Sequence, residues 1–456
     1  MRKYGLILAV FLAAAVLPEA LRADTDRLLA NATRYDQEYP VIQYSGPATH
    51  NRIWRLQQKL NSGALKLEWE PRGGYLRSLL NALEIDVSSQ TMVFSKTSLQ
   101  TNRISEQTPR ALYYNDDTYV GYVQHSDLLE LVAVDAQAGV VFFGMRNVRE
   151  QAPVMDREGG RCLTCHDTYS MMGGGVPRVL AMSAPVDVPE DTRTYSSASE
   201  VDDRTPISQR WGGWYVSGWY LPGKNGPVDH FGNLPLRSES ATNTADNRQL
   251  IALKSTRDNR GNLKGYFDTD AYLSDKSDVG ALLVLEHQVH IQNLITRVNF
   301  KVRTIMSREA QEAVEAPRSW EAVNAQDKAA IKAIIEPLVR ALFMVDMVSL
   351  DGEVVSNSGF GEKFPKPGPR DSMGRSLRDL QFDQRLFRHP LSYMIYSESF
   401  EALPQYVHDY IDARIVEVLK GRDTTGLSAK LSEADRAAIS QILGETRPRY
   451  AKLLAR

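Results

Sequence analysis

The amino-acid sequence predicts an α+β fold, with a β-meander in the N-terminal half and a helical C-terminal half. Two observations carry this. Between about Gln90 and Met145, five short β-branched and aromatic runs are separated by Asp, Asn and Gly. After about Glu239, apolar residues recur at the spacing of a helix face. A chain of 456 residues, 43% of them hydrophobic, can bury a large core without covalent staples.

In chain order, "NRIWRLQQKL" and "GYLRSLLNALEI" have helical spacing, with Gly73 and Gly74 as a start signal before the second. The period then changes. "QTMVFSK", "RALYYN", "TYVGYVQ", "LLELVAVD" and "GVVFFGM" predict the strands, and "AQA" before Gly139 predicts a hairpin between the last two. "VPRVLAMSAPV" and the aromatic stretch "RWGGWYVSGWYLPGKNGPVDHFGN" follow, the latter holding three of the six Trp. Its glycines allow close backbone approach, so its rings can line a cleft, or they can simply pack a pair of strands.

"SDVGALLVLEHQVHIQNLITRVNF" predicts a helix with Ser277 as its N-cap. "NAQDKAAIKAIIEPLVRALFMVD" predicts a second, broken or kinked near Pro337. "GFGEKFPKPGPRDSMG" predicts a long loop, and helices are expected in "PQYVHDYIDARIVEVLKG" and in "SEADRAAISQIL", the latter capped by Ser432. Asp268, Asp270 and Asp275 lack the spacing and central glycine of a calcium loop, and they are expected to begin a helix. No internal repeat is visible.

Composition excludes several functions. With 54 basic and 56 acidic side chains, the net charge of -2 provides no field for a phosphate backbone, so nucleic acid is not an expected partner. No phosphate-binding glycine loop, G-x-S-x-G or H-E-x-x-H is present. Arg2 and Lys3 precede an apolar stretch from Leu6 to Leu17 with small residues after it, the layout of a secretory signal spanning 1–23. No later apolar run approaches the roughly 18 to 20 residues that span a bilayer, so a periplasmic or secreted chain with no membrane span after cleavage is expected.

The chain has two cysteines, Cys162 and Cys165, with His166 directly after the second. A C-x-x-C pair admits a redox dithiol, half of a zinc site, or thioether attachment of haem. Zinc needs further soft ligands at suitable spacing, and none is present. A thioredoxin-like site needs a strand before the motif and a helix after it, whereas glycines flank this one on both sides. C-x-x-C-H is the pattern in which both thiols add to the porphyrin vinyl groups and the imidazole meets the iron. One covalent haem c is therefore expected, clasped between the two halves, with His166 as its proximal ligand. The regions that follow are an N-terminal α+β region at 24–150, a haem and aromatic region at 151–238 and a mainly helical region at 239–456.

"SQTMVFSKTSLQ", "PRALYYNDDTYVGY", "CLTCH", "RWGGWYVSG", "LVLEHQ" and "GRSLRDLQFDQRLFRHPLSYMIYS" resemble successive blocks of a family of large exported bacterial cytochrome c-like proteins with a single C-x-x-C-H. The resemblance runs from about Tyr75 to the C-terminus. It implies haem and export, and no particular reaction. That family often has a further His where this chain has Gln292, and one before His230, so roles depending on those positions do not carry over.

The sixth iron position separates electron transfer from catalysis. His230, in a glycine-rich turn, and His287, beside Glu286 in an apolar helix, are candidates for it. Met182 is a third, while Met171 and Met172 follow His166 too closely to reach the opposite face. Arg161, Arg178 and Arg210 flank the haem and aromatic segments and can pair with carboxylates. Two functions are expected: electron transfer with a redox partner protein, or a peroxidase- or oxygenase-like oxidoreductase in which the Trp-rich segment, Glu286 and His287 form a distal pocket.

Overall fold

A computed structural model describes residues 34–149, 153–166, 175–185, 197–222, 261–312, 320–350 and 352–455. The fold is α+β, with an antiparallel sheet in the N-terminal half and helices in the C-terminal half. The strands are β1 (Thr91–Val93), β2 (Arg110–Tyr114), β3 (Thr118–Val123), β4 (Leu128–Asp135), β5 (Gly139–Arg146) and β6 (Met155–Arg157). The meander expected between Gln90 and Met145 is β1 to β5, each strand pairing antiparallel with the next.

The hairpin from β4 to β5 closes with Asp135 opposite Gly139. Asp135 Oδ1 accepts the N–H groups of Gln137 and Ala138 at 2.9 Å each, so one side chain satisfies the turn. Gly139 is required twice over. Its φ is +69°, and a Cβ there would lie 2.6 Å from the Thr296 side chain of the helix packed on the sheet.

The aromatic segment joins this sheet. β9 (Trp214–Tyr215) pairs with β1 as the seventh strand, in the order β6-β5-β4-β3-β2-β1-β9. Two smaller ribbons complete the sheets: β7 (Ala181–Ser183) with β8 (Ser199–Val201), and β10 (Trp219–Pro222) with β11 (Gly352–Val355). Strand pairing thus crosses the boundaries drawn at 150 and 238, because backbone hydrogen bonds ignore distance along the chain.

A helix of 34 residues, Val279–Glu312, crosses one face of the sheet. Tyr114 donates to the Ala281 carbonyl at 2.6 Å, and Gln288 donates to the Tyr119 hydroxyl at 2.8 Å, fixing the contact. The N-cap is Asp278, not Ser277. Asp278 Oδ1 accepts from Ala281 N at 3.0 Å, while buried Ser277 donates to the Tyr215 carbonyl. The next helix, Ala325–Leu342, is not broken at Pro337, which lies inside it. The segment 359–374 contains one helical turn, Phe360–Lys363, and Asp268 caps a short 3-10 turn at Thr269–Ala271. Helices Gln405–Leu419 and Glu433–Thr446 form as expected, and Ser432 accepts from Asp435 N at 3.0 Å.

One cluster of buried apolar side chains extends from Tyr35 to Tyr450 and takes in the sheet, the long helix and the C-terminal helices. Among the described residues, no helix is long and apolar enough to cross a membrane.

Candidate functional site

Cys162, Cys165 and His166 lie on and beside a single helical turn, Leu163–His166, after the edge strand β6. So short a helix cannot orient a side chain alone; a distant segment does. His166 Nδ1–H donates to the Arg178 carbonyl at 2.8 Å, and Arg178 N–H donates back to the His166 carbonyl at 3.1 Å. Arg178 is itself held by Glu200 through two contacts of 3.1 and 3.0 Å. Asn293 of the long helix grips the next residue with both amide atoms, accepting from Val179 N at 3.0 Å and donating to its carbonyl at 2.8 Å. Anchoring Nδ1 leaves Nε2 as the nitrogen that could coordinate a metal, the arrangement found in metal-ligating histidines that donate their other N–H to a carbonyl.

These three residues border a cavity of about 410 Å³ between the sheet and the long helix. That lies within the roughly 300–1,000 Å³ of small-molecule and cofactor sites. Its floor is two rows across the sheet. Leu112, Gly121, Glu130 and Gly144 pair in register as one row, and Tyr114, Tyr119, Val132 and Phe142 as the other. Leu285 and Val289 of the long helix, Val179 and Trp214 add the walls. Half of the first row is glycine, so the floor is troughed. A Cβ on Gly144 would come within 3.3 Å of Glu158 and Leu128, and one on Gly121 within 3.3 Å of Glu130. Two ion pairs lie along the same wall, Arg110–Glu130 at 2.8 Å and Arg161–Glu158 at 2.6 Å, and buried Arg110 Nε has no hydrogen-bond partner.

Electrostatics argue against thiolate chemistry. Burial, with Glu158 and Glu130 nearby, pushes the Cys162 thiol up to about 12, and burial also raises Cys165. A redox dithiol or a nucleophilic Cys needs the opposite shift. Burial lowers the His166 imidazole to about 4, and the residue borders the cavity. The ring is therefore neutral, as an iron ligand must be. Two thiols held as S–H, a neutral anchored imidazole and an apolar troughed cavity suit a flat, largely apolar prosthetic group such as haem.

No family model, curated protein or solved structure matches the chain.

The other candidate residues fall elsewhere. His230, Met171 and Met172 lie outside the described residues. Met182 is buried in β7, and its carbonyl accepts from Trp214 Nε1 at 2.7 Å, but it does not border the cavity. His287 is corrected as a sixth ligand. Both its ring nitrogens are engaged, Nδ1–H with Asp203 Oδ2 at 2.6 Å and Nε2 with the Ser392 hydroxyl at 2.8 Å, and it does not border the cavity. Glu286 is corrected as a distal group for the same reason: it accepts from Arg210 at 2.8 Å and from Trp211 Nε1 at 2.9 Å. On the helix, Leu285 and Val289 turn toward the cavity, while Glu286, His287 and His290 face the 202–211 segment.

Of the three arginines, Arg161 borders the cavity, Arg178 positions His166 through its carbonyl, and Arg210 pairs with Glu286. The aromatic segment divides likewise: Trp214 lines the cavity while Trp211 is buried against Glu286. Sequence reasoning missed Arg110, Gly121, Glu130, Gly144 and Asn293. A glycine interrupting each of two strands was the available signal, since glycine inside a strand marks close approach. Nothing local marks Asn293.

Proposed function

We propose that this chain is an exported c-type cytochrome carrying one haem, joined to Cys162 and Cys165 and ligated by His166, which exchanges electrons with a redox partner protein. The observation that carries the reading is the convergence of both cysteines and the anchored His166 on one apolar cavity. Cys162 and Cys165 would hold the group through thioether links to its two vinyl substituents, and His166 would ligate its iron. Haem, once bound, supplies a one-electron iron couple.

The chain's own residues hold and shield the group. His166 provides Nε2, Phe142 packs 4.7 Å from its ring centre, and Leu285, Val289 and Val132 keep water from the floor. The segment Lys96–Thr101 lines the mouth, where Leu99 is 49% exposed, and this is where a redox partner is proposed to dock. The signal-like stretch at 1–23 supports export, although it lies outside the described residues.

One observation favours a second reading, a haem-dependent oxidoreductase with an open or displaceable sixth position. Among the described residues, the cavity wall contains no methionine and no histidine besides His166. The visible spectrum of purified ferric protein, with and without cyanide, distinguishes the two. A low-spin spectrum unmoved by cyanide is expected for electron transfer; a high-spin spectrum that shifts selects the second reading. Covalent haem retained in a Cys162→Ala/Cys165→Ala variant would overturn both.

A further inference from the structure

Among the described residues outside the cavity, a group of metal-ligating side chains gathers where the turn 202–205 meets His290 of the long helix. We propose that Asp202, Asp203 and His290 form a second metal site, for a borderline divalent transition ion such as Zn²⁺ or Mn²⁺, separate from the Cys162–His166 cavity. One ligand atom from each of the three lies within 4.8 Å of the others. An imidazole with two carboxylates is a donor set suited to these ions.

Charge supplies the second argument. Asp203 is 3% exposed, and among the described residues its oxygens accept from imidazole nitrogens, His287 Nδ1 and His290 Nδ1, at 2.6 Å each. No Lys or Arg side chain among the described residues bonds this carboxylate. Arg210 spends its guanidinium on Glu286 and on the backbone carbonyls of Asp203 and Thr205. The two imidazoles are the partners this buried carboxylate has, and a cation coordinated by Asp202, Asp203 and His290 would add positive charge beside it.

The surroundings are built as those of a metal site are. His287 passes from Asp203 to Ser392 at 2.8 Å, so a chain of buried groups orients the carboxylate from behind. The three bonds of Arg210 tie the turn carrying both aspartates to the helix carrying His290. Asp202 is the accessible member. Arg204 holds both its oxygens, through its guanidinium at 2.6 to 3.2 Å and through its backbone N–H at 2.9 Å; that guanidinium is half exposed, so a bound cation would replace the side-chain contacts and leave the backbone one.

Full-length protein, cleared with chelator, is titrated with Zn²⁺ and separately with Mn²⁺ by calorimetry, with iron content and haem absorbance measured in parallel. One ion per chain beyond the iron is expected, with a rise in thermal midpoint as the ion binds the folded state. His290→Ala and Asp202→Asn should each weaken binding at least tenfold while iron content and circular dichroism stay unchanged. Asp202 is partly exposed on a turn, more so than Asp203, so its variant keeps the test valid if His290→Ala fails to fold. Absence of binding by either ion, or binding unaffected by both variants, overturns the site. Loss of haem absorbance with intact Zn²⁺ binding would count against the cytochrome reading alone.

Discussion

The imidazole of His166 and the backbone of Arg178 hold each other by two reciprocal hydrogen bonds, 2.8 Å from ring to carbonyl and 3.1 Å from amide to carbonyl. Because Asn293 clamps the adjoining Val179, the orientation of this ring is set from the long helix and not from the C-x-x-C-H turn.

Asn293→Leu should therefore act on His166, the proposed iron ligand, without touching the cysteines. It strands a backbone N–H and a carbonyl, costing about 1–3 kcal/mol of stability. Covalent haem content is expected to match wild type, while the reduction potential shifts and cyanide binding becomes easier. Unchanged potential and ligand binding in a folded variant would show that Asn293 does not position His166.

Gly144→Val fills the trough. The backbone there has no positive φ to forbid a side chain, and valine suits a strand, so the cost falls on Glu158 and Leu128 at 3.3 Å. Haem content should drop severalfold with sheet circular dichroism preserved. Gly139→Val is the contrasting case, expected to unfold the protein, since it combines a φ of +69° with a 2.6 Å clash against Thr296.

Arg210 and Glu286 form an ion pair with both side chains 2% exposed. Arg210→Ala should cost about 3–5 kcal/mol in denaturant unfolding, because it leaves a buried carboxylate without its ion-pair partner and with Trp211 Nε1 as its remaining donor among the described residues. Burial pushes Glu286 up to about 7 from an ordinary 4.5, against the pull of Arg210 and Trp211. The folded state thus binds a proton more tightly than the unfolded chain, and this group's contribution is full below about pH 4.5 and lost as pH rises through 7. Glu286→Gln should remove that slope, a difference of up to about 3 kcal/mol between variant and wild type across the window.

His408 carries the opposite slope. Burial, with Arg449 nearby, lowers it to about 4 from 6.5; it is 2% exposed, and its Nδ1 has no hydrogen-bond partner. Its contribution is present above pH 6.5 and lost as pH falls through 4. His408→Phe, which keeps a ring against Phe400, should reduce acid destabilisation by up to about 3 kcal/mol, as measured by thermal midpoints at pH 4 and pH 7.

Much of the architecture was legible because its signals are local. Alternating β-branched runs with turn residues between them place the meander, helical spacing and Ser432 place C-terminal helices, and three neighbouring residues spell the attachment pattern. The misreadings are as instructive. Ser277 and Asp278 are both plausible caps by composition, and the choice fell to Asp278 because the Ser277 hydroxyl is taken by the Tyr215 carbonyl, 62 positions away.

His287 shows what composition leaves open. Its neighbours along the chain mark it as buried and polar, which fits an iron ligand as well as a structural hydrogen-bonding group. Its two partners, Asp203 and Ser392, lie 84 and 105 positions off, and packing alone brings them to its nitrogens. The cofactor expectation thus came from residues 162–166 alone, since thioether attachment needs only adjacent groups. The cavity, the hold on His166 and the Asp203 cluster came from tertiary structure, because strands, helix and turn reach one place only when the core closes around them.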